Sequence, residues 1–267
     1  MIDVDDNLRN CLCDDFCSAA TWLCRFASNA TPASPWYRKA RLYASFCSAM
    51  CANLGMRLSL TKDRAVPEMR PENPDFGRSF TLSDVSQICR QLQKRDGFGS
   101  IDREDPGLHG KASIEGQFTE VTQSPASGPS LNDVLVCSDE TILAYLQVVE
   151  STGQVWNRDH DDMRAAAFAA RALVALRRPR QFNVAVTILR VLAARNVELF
   201  LVRDGLLMVR RYQRIDGAFC VLPRDAKTVA LIDAKRSLPD TVLAAWLLHD
   251  ALAPVSFVEA ARSRLAQ

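Results

Sequence analysis

Two groups of residues in this chain combine side-chain types and spacings that could do chemistry. Asp216 stands just before the apolar run Ala218-Phe219-Cys220-Val221-Leu222, and Asp233-Ala234-Lys235 closes the run Val229-Ala230-Leu231-Ile232. Carried on neighbouring strands, the carboxylates of Asp216 and Asp233 could hold a hard divalent ion such as magnesium, while Lys235 orients or activates a water beside a phosphate. Glu198 is an accessory acid for the same site. The second group is Cys13, Cys17, Cys47 and Cys51, two pairs spaced four apart, so that each pair projects from one face of its own helix. An antiparallel turn about Pro32 sets Cys17 opposite Cys47 and Cys13 opposite Cys51.

Three states are open to these thiols. They can fill a helix core as small hydrophobes, which is the preferred reading. They can form two disulfides if the opposed alpha carbons lie within ~4.4–6.8 Å. They can also hold zinc tetrahedrally at Zn–S of ~2.3 Å, although zinc sites usually draw one pair from a tight CXXC turn, and the sequence has none. Over residues 13–51 the spacing resembles the twin CX3C helical hairpins of small mitochondrial intermembrane-space chaperones, with a longer interval between the pairs. Cys11, Cys24, Cys89, Cys137 and Cys220 have no partner spacing and read as core thiols.

The acid, turn, acid-x-lysine order across residues 198–235 resembles the core of the PD-(D/E)XK nuclease superfamily. The resemblance implies that Asp216 and Asp233 bind magnesium, that Lys235 is the catalytic lysine, and that the substrate is a nucleic-acid phosphodiester. Arg203, Arg210, Arg211, Arg214, Arg224 and Lys227 could then contact a phosphate backbone. No proline precedes Asp216, which departs from the family pattern. The structural alternative is that Asp216-Gly217 makes a turn and Asp233-Ala234-Lys235 is the polar exit of a buried strand.

These residues need elements to position them. Leu8, Cys11, Leu12, Phe16, Ala19, Ala20, Leu23 and Phe26 recur at three- and four-residue spacings and predict a helix over 8–27. A second is expected over 36–54, after the proline-interrupted stretch 28–35, which makes an antiparallel helical hairpin. Residues 61–78 read as an irregular connection and 81–95 as a short helix capped by Thr81 or Ser83. The glycine-rich stretch 96–130 reads as a linker or insertion between a Cys-rich helical region, 1–95, and a second domain, 131–267. In that second part, helices are expected over 132–150, 161–177 and 183–195. Residues 197–203 and 206–212 then flank Asp204-Gly205, a strong hairpin signal, and 218–222 and 228–233 follow as two further strands. A helix capped by Asp240 and a last one over 255–265 complete the chain. The expected fold class is α+β: a helical amino-terminal hairpin, then carboxy-terminal helices packed on a four-stranded, mainly antiparallel sheet.

Composition narrows the function classes. Among 267 residues, 33 are basic and 31 acidic, so no bulk field draws the chain toward nucleic acid or anionic lipid, and any charged site must be local. No apolar run approaches the ~20 residues that span a bilayer, because 242–248 is soon interrupted by His249-Asp250. The acidic start lacks the basic region of a secretory signal, so an intracellular, cytoplasmic location is expected. Nine cysteines is an odd count, which leaves at least one unpaired within the chain. Only His109, His160 and His249 are available for histidine chemistry, and His249-Asp250 reads as the end of an apolar helix face. Lys94–Asp102 fails as a calcium loop because Lys94 and Phe98 fall at ligand positions. There is no GxSxG elbow, P-loop or GxGxxG. The reading is therefore a non-catalytic interaction or assembly subunit with a protein partner and no cofactor. The magnesium-dependent nuclease is its alternative, and only that alternative brings in nucleic acid.

Overall fold

Leu8, Leu12, Phe16, Ala19, Ala20, Leu23 and Ala27 keep one side of the first segment apolar, and burying that stripe produces a 24-residue helix, α1 (Asp6–Asn29). The computed structural model describes residues 6–33, 37–56, 85, 88, 158–178, 181–195, 200–220 and 234–265. After the exposed turn at Thr31-Pro32-Ala33, α2 (Tyr37–Asn53) packs against α1 as the expected hairpin. Next come α3 (Arg158–Leu176), α4 (Phe182–Ala194), α5 (Phe200–Arg210), α6 (Ala234–Leu252) and α7 (Phe257–Leu265).

The centre of the molecule is α6. All its residues from Asp240 to Leu252 are buried, because a helix carrying Val242-Leu243-Ala244-Ala245-Trp246-Leu247-Leu248 is apolar on every side and needs neighbours all round. It packs on α1, α2, α4 and α7, while α3 and α5 pack on α4 and on each other. Helices from both ends of the chain thus share one core, which also takes in Val85 and Ile88. Phe46 sits at its hub, edge-on to Trp246 and to Phe257 at ring separations of 5.0 Å. Such aromatic pairs add roughly 0.5–1.5 kcal/mol each beyond their buried area.

The expected α+β class, with its four-stranded sheet, is wrong. Residues 200–210 form α5 instead of two strands around an Asp204-Gly205 turn. Val202, Leu206 and Val209 are buried at three- and four-residue spacing, so the two apolar runs belong to one helix face. Gly205 lies on that face because the backbone needs room, not a bend: a methyl there would stand 2.5 Å from Leu189 Cδ2 on α4. Among the described residues no strand occurs, and the nearest approach to a sheet is an isolated antiparallel bridge between Gln213 and Phe219. The expected strand 228–233 and the second half of 218–222 lie outside the described residues, as do the helix 132–150 and the linker 96–130.

The start of α6 differs too. Asp240 was expected to cap it, but the helix begins at Ala234 and carries Pro239 within it. Pro239 lies past the first turn, so the helix forgoes there the N–H that would donate to the backbone carbonyl four residues back. Thr241 then ties this region to the preceding turn: its hydroxyl donates to Ser237 O at 2.7 Å and accepts from Phe219 N at 2.9 Å. No helix among the described residues is long and apolar enough to cross a membrane.

Candidate functional site

Asp216 sits in a tight turn that joins the end of α5 to the bridge at Phe219. Arg214 N donates to Ala218 O at 2.8 Å, Gly217 N donates to Arg214 O at 3.0 Å, and Gly217 takes a φ of +96°. A side chain at 217 would run into the Ser18 carbonyl of α1, so glycine is required both by its φ and by this close approach. Gln213 Nε2 clamps the turn to α1 by donating to Asp15 O at 2.7 Å, and Arg210 pairs with the Asp15 carboxylate. Burial alone would lower the Arg210 guanidinium, but Asp15 and Cys11 hold it above its ordinary value.

Within this turn both carboxylate oxygens of Asp216 are engaged. Oδ1 accepts from Ala218 N at 3.2 Å, and Oδ2 lies 3.4 Å from Arg214. The side chain acts as a turn-former, and a cation there would have to displace Arg214. Asp233 and Glu198 lie outside the described residues; Lys235 falls in the first turn of α6, with its side chain outside them. The meeting of Asp216 with Asp233 and the Lys235 side chain thus lies outside the described residues.

The cysteines are gathered, and Cys24 lies among those the spacing suggested. Cys11, Cys13, Cys17, Cys24, Cys47, Cys51 and Cys220 are all free thiols. Along the α1–α2 seam Cys47 hydrogen-bonds to Cys51, and a charge on Cys51 would be felt by both Cys17 and Cys24. Cys24, seven residues after Cys17, shares its helix face and belongs to the cluster. The S–H of Cys47 donated to Cys51 lowers the Cys51 thiol despite burial, while the same bond followed by burial raises Cys47. Burial, then Cys51, pushes Cys24 up to about 12, and burial also raises Cys13 and Cys17. No group of three or more His, Cys, Asp or Glu side chains among the described residues is placed to hold a metal ion.

Sequence reasoning missed a buried polar junction where α2, α4, α6 and α7 meet. His249, fully buried, places Nδ1 2.8 Å from Asp250 Oδ1 and Nε2 3.0 Å from Asn53 Nδ2. The same Asp250 Oδ1 accepts the first N–H of α7, from Phe257, at 2.9 Å, while Ser256 Oγ caps Glu259 N at 3.3 Å. Arg190 of α4 lies over the Trp246 ring at 4.0 Å, with Nη1 3.9 Å from Asp250 Oδ2. Flanked by a carboxylate at Nδ1, His249 has the orientation of an imidazole in a hydrolase. Its far nitrogen meets an amide instead of a nucleophile, inside a closed core. This is a clamp on four helices. The available signal was Arg190 itself, a charge inside the apolar stretch 182–194 that burial would oblige to find an acid.

On the outside, α5 presents Phe200, Arg203, Leu207 and, immediately after its last residue, Arg211 along one face. Phe200 is 71% exposed and Leu207 41%, and Ile215, at the tip of the clamped turn, is 94% exposed. Comparison of the chain with protein-family models, curated proteins and solved structures found no match.

Proposed function

We propose that this protein is a non-catalytic interaction or assembly subunit, a helical unit that presents α5 and the turn after it to a protein partner. The supporting observation is the exposure of Phe200, Leu207 and Ile215 on one segment whose opposite side is firmly buried. Large apolar side chains facing water gain free energy when a partner covers them, roughly 25 cal/mol per Å² of apolar area removed from water. The polar chemistry of the described residues serves structure: Asp216 shapes a turn, and His249, Asp250 and Arg190 lock helices together.

The test is affinity isolation of the full chain from its native cell, comparing wild type with a Phe200→Ser/Ile215→Ser double variant of unchanged helical signal. A defined set of co-purifying proteins that is lost from the variant is the expected result. Recovery of the same set with both proteins, or magnesium-dependent nucleic-acid cleavage that disappears in Asp233→Ala, would overturn the proposal in favour of the nuclease.

A further inference from the structure

We propose that Cys17 and Cys51 are a peroxide-sensitive thiol pair, oxidised to a disulfide that staples the end of α2 to α1. This site is separate from α5 and does not depend on the interaction reading. Its parts come from both helices of the hairpin. Cys17 and, two turns later on the same face, Cys24 stand on α1; Cys47 and Cys51 stand one turn apart on α2, and the two helices pack together. All four are free thiols, Cys17 half-buried and the others buried. Packing alone asks only for small apolar volume. Here Cys47 donates its S–H to Cys51, so one thiol of the seam has a built-in donor for its anion.

That hydrogen bond selects the nucleophile. The thiolate is the form that attacks a peroxide, and Cys51 is held below its ordinary value by Cys47, whereas burial keeps Cys17 and Cys24 above theirs. Access comes from the helix end. Cys51 lies in the last turn of α2, after which Gly55 takes a left-handed φ of +66° and Met56 N donates to Cys51 O at 2.9 Å. A helix terminus opens at lower free energy than its centre, and hydrogen peroxide is a small molecule.

Helix geometry then selects the second sulfur. Cys47 is the nearest along the chain, but residues four apart on a helix hold their β carbons ~5–6 Å apart, whereas a disulfide needs ~3.5–4.5 Å. Closing that pair would unwind α2. The partner therefore comes from α1, where Cys51 acts on the Cys17 thiol more strongly than Cys13 or Asp14 of its own helix does. Cys24, pushed up to about 12, is the poorer attacking thiol. In the first step the Cys51 thiolate takes one oxygen of the peroxide, the O–O bond breaks, and the departing hydroxide picks up a proton to become water. Cys17 then attacks the sulfur of the resulting sulfenic acid, the S–O bond breaks, and the hydroxyl leaves with the Cys17 proton as a second water. Two thiols are oxidised and one peroxide is reduced. The new bond would join two structural anchors: Asp15 and Ser18, which seat the turn at Gly217, flank Cys17, and Asn53, the partner of His249, follows Cys51 on α2.

The experiment treats the reduced full chain with hydrogen peroxide at neutral pH, alkylates the remaining thiols, and maps the digest by non-reducing mass spectrometry. The expected product has two of the nine thiols consumed, with Cys17 linked to Cys51, and returns to the starting material in dithiothreitol. Cys17→Ser is expected to lose the link and leave Cys51 as a sulfenic acid that dimedone traps; Cys51→Ala is expected to lose both. Cys47→Ala should form the link at least ~5-fold more slowly, because the donor to the thiolate is gone. The oxidised wild type should also unfold at a higher urea concentration than the reduced form, a shift absent from Cys17→Ser. Retention of all nine thiols, a link between any other pair, an unchanged urea midpoint, or an undiminished rate in Cys47→Ala would overturn the inference. If Cys51→Ala does not fold, wild type and Cys17→Ser decide, because half-buried Cys17 can be replaced without opening the core.

Discussion

The interior seams and the α5 turn use the same kinds of residue to opposite ends. At the junction of α2, α4, α6 and α7, His249, Asp250 and Arg190 are buried, and each finds a partner inside the molecule. At the turn after α5, half-buried Arg214 and exposed Asp216 pair with one another, while an isoleucine points into water. The first arrangement is rigid because an unpaired charge there would be costly; the second leaves its free energy to be gained from something outside. A histidine beside an aspartate is thus no evidence of catalysis when helices close over both, and an apolar side chain is more informative at a fixed surface turn than in a core.

The largest expected effect breaks the interior side of the comparison. Asp250→Ala removes the acceptor for His249 and for the first N–H of α7, and leaves Arg190 without its carboxylate. It should cost about 3–5 kcal/mol in urea unfolding. A change below 1 kcal/mol would mean that the junction does not clamp the four helices.

The thiol seam gives the next effect, as a dependence on pH. The folded Cys24 thiol is raised from an ordinary value of 9.0 to about 12, so the folded chain keeps its proton where the unfolded chain releases it. A raised value stabilises fully below pH 9, and that contribution is lost as pH climbs from 9 toward 12, at up to ~1.4 kcal/mol per pH unit. Cys24→Ala should flatten this slope in unfolding curves measured across that window. An unchanged slope would place Cys24 in contact with water.

Gly217→Ala tests whether the turn is as fixed as the seams. The left-handed φ and the contact with the Ser18 carbonyl together should cost about 2 kcal/mol, with loss of the clamp to α1 visible as faster amide exchange at Arg214 and Gly217. The smallest effect is the sharpest contrast. Phe200→Ser and Ile215→Ser should leave stability within ~0.5 kcal/mol of wild type, because neither side chain is packed. A loss above 1 kcal/mol in either would show that the chain itself already covers that side chain.

Several features were legible beforehand. The α1–α2 hairpin follows from its apolar period and the proline-rich break, and α3 and α4 match their expected spans to within a few residues. The turn at Asp216-Gly217 follows from the residue pair itself. What misled was Asp204-Gly205. Local chemistry makes that dipeptide a hairpin turn, but Val202, Leu206 and Val209 also satisfy a helical period, and only contact with Leu189 decides between them. The four-cysteine spacing showed which helix faces carry sulfur but not that Cys24 joins Cys17, Cys47 and Cys51, since register across a helix seam depends on how the two helices cross.

By itself the amino-acid order determined where α1 to α4 begin and break, which faces of those helices are apolar, and that charge is balanced overall, because these are properties of neighbours along the chain. Tertiary structure alone decided that residues 200–210 stay helical, that His249 and Asp250 are walled in by Asn53, Arg190 and Phe257, and that Phe200 and Ile215 are left uncovered. Those outcomes rest on contacts between segments far apart in sequence, where the free energy of packing outweighs any local preference of a glycine or an aspartate.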